Sequence, residues 1–115
     1  MSKKKEIREN FRNVVFARDK YTCRGCDSVF TKETAEEFLD AHHITDRNDI
    51  INGGYVIENG ITLCKKKCHE KAEQFHVSDG KDHDYDFHPS DLYKKIGSSK
   101  ELAIEKSKLL NPQNK

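Results

Sequence analysis

The sequence predicts a small α+β fold: a zinc-stapled strand–loop–strand–helix core with flanking helices. Three observations predict it. Four cysteines fall in two short pairs, Cys23-x2-Cys26 and Cys64-x3-Cys68. Two short apolar-leaning runs, 39–44 and 61–63, bracket a polar loop with the turn signal Asn52-Gly53-Gly54. Helical periodicity dominates both ends of the chain.

A chain of 115 residues is one domain that buries only about two-thirds of its unfolded surface. With 34% apolar and 36% charged residues its core is lean, so a metal staple is a physically sensible supplement. The composition changes at 78–84, a polar stretch. The expected division is therefore a core domain over 1–78 and a linker with a helical extension over 79–115.

Each element has its own signal. Ile7, Phe11, Val14 and Val15 recur at helical spacing, predicting an amphipathic helix over roughly 5–18. Cys23-Arg-Gly-Cys26 reads as a tight turn. A short helix follows over 31–38, beginning near Thr31 or Lys32, with Glu33, Glu36 and Glu37 suiting its N-terminal half. Residues 39–44 and 61–63 are the two strands, and 68–75 is a helix. Pro89 opens a further short helix carrying Leu92, Tyr93 and Ile96, and Gly97 ends it. Ser98-x-x-Glu101 has capping-box spacing for a last helix to about Leu110, which Asn111-Pro112 stops.

The formal net charge of +1 does not by itself announce a nucleic-acid partner. Among the first twenty residues, however, Lys3, Lys4, Lys5, Arg8, Arg12, Arg18 and Lys20 face only Glu6, Glu9 and Asp19. On charge alone this reads as a solvated helix face. Bound metal ions would also change the field at any site, so the bare sum is a poor guide. No apolar segment follows the basic start, and no stretch approaches the roughly 18 apolar residues of a membrane span. The expected setting is cytoplasmic, where thiols stay reduced and four cysteines read as ligands of structural zinc before disulfides.

Chemistry concentrates between and beside the cysteine pairs. His42 and His43 are adjacent on a strand, Asn59 precedes the second strand, and His69 follows Cys68 on a helix. The run Arg18-Asp-Lys-Tyr-Thr-Cys23-Arg-Gly-Cys26, then Leu39-Asp-Ala-His42-His43-Ile44, Gly53-Gly54, Asn59-Gly-Ile-Thr-Leu63-Cys64 and Cys68-His69 resembles the HNH endonuclease family in that order. The resemblance covers roughly 11–76. It departs from the family at Cys64-x3-Cys68, where two intervening residues are commoner; the extra residue shifts the phase at which the helix presents His69.

The resemblance implies a ββα-metal core and a metal-dependent endonuclease that hydrolyses DNA phosphodiester bonds, leaving 5′-phosphate and 3′-hydroxyl ends; nothing in the sequence resembles a base-reading module, so low sequence specificity is expected. It makes His43 the general base, His42 and His69 ligands of one catalytic divalent cation, and Asn59 either a further ligand or a tie holding the loop so that His43 points correctly. The ion expected is Mg²⁺, Mn²⁺, Ni²⁺ or Zn²⁺, imidazole favouring the softer ions. Neutral imidazole suits the base, its reference pKa being about 6.5. Strand alternation sends His42 and His43 to opposite faces, a tension with two resolutions: the strand ends there and twists, or one of the two is only structural.

Glu73 shares a helix face with His69 and reads first as a solvated carboxylate, then as a ligand. His76 reads first as a surface residue, then as a late ligand or phosphate contact, and His83 and His88 carry no assigned role. Lys65, Lys66, Lys67, Lys71 and Arg47 are the expected phosphate contacts, with Arg24 a lesser one. The C-terminal extension resembles that of small stand-alone HNH proteins of phages, which implies the host cytoplasm and either phage packaging proteins or a homodimer as partners. The competing reading is a catalytically silent, zinc-stabilised DNA- or protein-binding module, which would have no need of the His43, Asn59 and His69 spacing.

Overall fold

The computed structural model describes residues 3–110. The elements are α1 (Lys3–Arg18), α2 (Lys32–Phe38), β1 (Leu39–His43), β2 (Gly60–Cys64), α3 (Cys68–Val77), α4 (Pro89–Lys95) and α5 (Lys100–Ser107). Two short 3₁₀ turns, Ile51–Gly54 and Ile57–Asn59, lie in the loop between the strands. The expected α+β order is therefore present, with a two-stranded antiparallel sheet at its centre.

Register places the chemistry. Leu39 pairs with Cys64 and His43 with Gly60, so the first-strand histidines stand opposite the start of β2. Leu39, Ile61 and Leu63 are fully buried in the core with Ala72 of α3 and Phe16 of α1. Gly60 permits α1 to lie directly on the sheet: a Cβ there would fall 2.4 Å from Val15 Cγ2 and 2.8 Å from Phe11 Cζ. Arg18 clamps the helix end to β2 by donating to the carbonyls of Ile57 and Gly60. The buried Asp19 carboxylate accepts from the Thr62 amide at 3.0 Å and pairs with Arg18. The Arg18-Asp19 dipeptide is thus a structural joint.

Thr31 caps α2 through a reciprocal pair with Thr34, satisfying amide groups that the first turn leaves without helical partners. The predicted turn is real: Asn52, Gly53 and Gly54 all have positive φ. Asn52 donates to the carbonyls of Ser107 and Leu110, and the Gly54 amide to Ser107 Oγ, so α5 is bonded to this turn. α5 begins one residue later than the capping-box spacing predicts. Ser99 caps it by accepting from the Leu102 amide, whereas Ser98 donates to the Glu58 carbonyl. The Ser98-x-x-Glu101 spacing therefore points to the wrong one of two adjacent serines. α5 also ends at Ser107, short of the expected Leu110; Asn111-Pro112 lie outside the described residues. No described helix is long and apolar enough to cross a membrane.

Candidate metal centres and active site

Cys23, Cys26, Cys64 and Cys68 bring their sulfurs within 4.8 Å of one another. Zinc–sulfur bonds of about 2.3 Å in a tetrahedron require sulfurs roughly 3.8 Å apart, and Cys26 Sγ lies 4.0 Å from Cys64 Sγ. The Gly25 and Cys64 amides donate to Cys23 Sγ, and the Cys68 amide to Cys64 Sγ, which is support suited to thiolates. Gly25 must be glycine here, because a Cβ would lie 2.7 Å from Cys68 Sγ. Burial, followed by the Cys23 thiolate, pushes the Cys68 thiol up. At Cys26 burial acts upward but bonds from Ser28 outweigh it, bringing the thiol down to about 6. Four sulfurs held near tetrahedral spacing, with backbone amides aimed at two of them, fit a cation such as zinc.

A second cluster forms where β1 meets α3. His42, His69 and Glu73 each direct one ligand atom to a common point, again within 4.8 Å. His42 is 2% exposed and both of its ring nitrogens lack hydrogen-bond partners. Glu73 Oε1 approaches His42 Nδ1 and His69 Nε2 at 3.2 Å each, and neither approach is aligned as a hydrogen bond. Two imidazoles and a carboxylate converging in this way fit a divalent cation better than they fit each other. His69 is oriented from behind: Asp40 Oδ2 lies 2.7 Å from its Nδ1, leaving Nε2 facing the cluster. Burial opposes charge on His69, but the bonded Asp40 carboxylate and the nearby Glu73 carboxylate outweigh it and hold the ring up at about 9. The same two histidines hold the Glu73 carboxyl well below the usual range.

Glu73 and His76 were undervalued in sequence. His69, Glu73 and His76 recur at i, i+4 and i+7, one stripe of α3. His76 is half-buried, stacks on His42 with centroids 5.2 Å apart, and bonds through Nε2 to the His43 carbonyl at 3.1 Å. It braces β1 and is not a free surface residue.

His43 faces the other way. Its ring packs against Phe11 at 4.6 Å and Tyr55 at 4.7 Å. It opens on a surface depression of about 300 Å³ shared with Arg8, Arg12, Asp40 and Arg47. Burial, then the neighbouring His42, pushes its pKa down to about 4, so the ring is neutral near pH 7. Its Nδ1 is buried without a partner.

Asn59 is fully buried and its amide is fully engaged. Nδ2 donates to the carbonyls of Thr45 and Gly54, while Oδ1 accepts from the Thr45 amide at 2.9 Å and the Tyr93 hydroxyl at 2.7 Å. With both lone-pair directions in use, the ligand role expected for Asn59 has no free acceptor; the bonds are those of a loop tie. Tyr93, from α4, was not foreseen in this role.

The expected basic residues separate. Lys65 lies near enough to Asp40 to lower its pKa, and Arg47 lines the His43 depression. Lys66, Lys67 and Lys71 do not join them: they line a different concavity with Asp82 and Asp84, and Lys71 sits over the Phe87 ring. Two residues along a helix turn a side chain about 200°, so Lys71 faces away from His69. Arg24 is engaged with the Lys95 carbonyl and Asp19. His88 caps α4 by accepting from the Ser90 amide, and His83 packs edge-on against it.

Residues 23–75, which contain both clusters, match the family model described as HNH endonuclease. A comparison with curated proteins and one with solved structures gave no match. The match and the four-cysteine cluster together describe a zinc-stapled ββα-metal core. An HNH domain implies nuclease activity with DNA as the substrate class.

Proposed function

We propose that this HNH domain is a divalent-metal-dependent endonuclease that hydrolyses DNA phosphodiester bonds with low intrinsic sequence preference. One observation carries the reading. On β1, a buried His42 with unpartnered nitrogens joins His69 and Glu73 on one face, while a neutral His43 opens on a basic depression from the other. His43 takes the proton of the attacking water, its ring fixed between Phe11 and Tyr55. His42, His69 and Glu73 hold the catalytic ion, and Asp40 orients His69. When bound, such an ion supplies charge stabilisation at the scissile phosphate and the leaving oxygen. Asn59 ties the loop after β1 so that Thr45, two residues beyond His43, cannot shift. Cys23, Cys26, Cys64 and Cys68 hold a structural zinc that takes no part in the chemistry.

The test is cleavage of supercoiled plasmid with Mg²⁺, Mn²⁺ or Ni²⁺ by wild type and by His43→Ala. Metal-dependent relaxation or linearisation is expected. Removing the base should slow it by about 10²–10⁴-fold with zinc content and circular dichroism unchanged. No cleavage by a folded, zinc-loaded protein under any of these metals would instead favour a silent binding module. Wild-type rates in His43→Ala would reassign the base.

A further inference from the structure

A basic concave surface continues from the His43 depression along α1. Lys4, Arg8 and Arg12 occupy one face of this helix on successive turns, and at 1.5 Å per residue they span about 12 Å. Two depressions, of about 300 and 210 Å³, share Arg8, Arg47 and Tyr55 and so form one trough. His43, Arg12 and Asp40, whose carboxylate is bonded to His69, lie toward one end and Lys4 toward the other. Among the described residues neither Arg8 nor Arg47 has a carboxylate within ion-pair distance, and the Arg12–Glu36 pair is long and largely exposed. The lysines of the 65–71 segment differ: Lys66, Lys67 and Lys71 look onto Asp82 and Asp84.

We propose that this α1 trough seats the DNA backbone beside the scissile bond, with Arg8, Arg12 and Arg47 as phosphate contacts and Lys4 continuing the track. The proposal rests on the nuclease reading, which supplies His43 as the point of attack. The span fits: one strand rises about 3.4 Å per nucleotide, so 12 Å follows three to four nucleotides. Arginine also fits, because its planar fork matches phosphate oxygens. The contacts carry no base readout, consistent with low sequence preference.

The test is fluorescence anisotropy of a labelled DNA duplex without added divalent metal, across salt concentrations. It compares the parent with Arg8→Gln/Arg47→Gln and with Lys66→Gln/Lys67→Gln; thermal melts establish that all three are folded. Losing two phosphate contacts should reduce the slope of log affinity against log salt by about 1.8. Between 50 and 200 mM salt the arginine variant should then lose about twelvefold less affinity than the parent. The lysine variant should keep the parent's slope. An unchanged slope in the arginine variant, a drop confined to the lysine variant, or no binding by the parent would each overturn the proposal. Plasmid cleavage is scored separately. Cleavage with an unchanged arginine slope sinks the trough alone, whereas a reduced slope without cleavage keeps the trough and sinks the nuclease.

Discussion

Tyr93→Phe removes one hydroxyl and nothing else from the joint between α4 and the strand-linking loop. That hydroxyl is 2.7 Å from Asn59 Oδ1, to which it donates, and 2.7 Å from Thr45 Oγ1. Tyr93 is 4% exposed and Asn59 0%, so the bonded groups lie below the surface, although Thr45 and Tyr93 also line a neighbouring cavity of about 580 Å³. Asn59 Oδ1 keeps the Thr45 amide, but Thr45 Oγ1 loses its only side-chain partner among the described residues. Leaving one buried hydroxyl unsatisfied costs about 1–3 kcal/mol. Unfolding entropy near 2.1 cal/mol/K per residue gives about 0.24 kcal/mol/K for a chain of this length, so the melting temperature should fall by roughly 4–12 °C. The assay is a thermal melt of zinc-loaded protein, extended to Thr45→Val and to the double variant. Replacing both partners of a buried pair by apolar groups is nearly neutral, so the double variant should be more stable than the sum of the singles implies, by at least 0.5 kcal/mol of coupling. An unshifted melt for Tyr93→Phe, or strict additivity in the cycle, would refute the account of this joint.

Other consequences follow from the same geometry. Asp40→Asn keeps the shape but removes the carboxylate behind His69; loss of such support costs about 10–100-fold in metal affinity, to be read by titration calorimetry with Mn²⁺ or Ni²⁺, and an unchanged Kd would mean that Asp40 does not orient the ligand. Cys23→Ser, or strong chelation, should unfold the domain, since zinc-binding free energy in such small sites is folding free energy; a folded Cys23→Ser protein still carrying one zinc by mass spectrometry would rule out the four-cysteine site. Gly60→Ala forces a Cβ against Val15 and Phe11, an overpacking expected to cost about 1–3 kcal/mol in urea unfolding, and wild-type stability there would show that α1 can move off the sheet freely.

The centre of the molecule was legible because its signals are local. Cysteine pairs a few residues apart, two strand-length runs and a turn carrying Asn52-Gly53-Gly54 each announce themselves within a short window, and all three reappear in the fold. Long-range facts were not legible. The Tyr93–Asn59 bond joins positions 34 residues apart and leaves no periodic trace in either segment. Proximity along the chain also misled. Lys65, Lys66, Lys67 and Lys71 surround His69 in sequence, but the turn into α3 and the helical twist send three of them to another face. The converse signal was present and underweighted: Glu73 and His76 follow His69 at four and seven residues, the spacing that puts side chains on one stripe. Arg8 is exposed on α1, as a solvated helix face requires; that it and Arg12 share a depression with Arg47 and His43 of other elements left no local trace.

The adjacency of His42 and His43 was the sharpest difficulty in the sequence, and strand alternation turns out to be its explanation. A regular strand does send the two rings to opposite faces, and the structure accepts this without bending β1. His42 points into the α3 side, where burial strips it of hydrogen-bond partners and leaves it available to a cation with His69 and Glu73. His43 points to the α1 side, where burial keeps it neutral beside basic residues. A metal ligand needs a free lone pair in a closed shell of donors, whereas a base needs a neutral ring open to an incoming substrate. One strand supplies both environments only by dividing them between its faces. Asp40 links the two, bonded to His69 while lining the His43 depression.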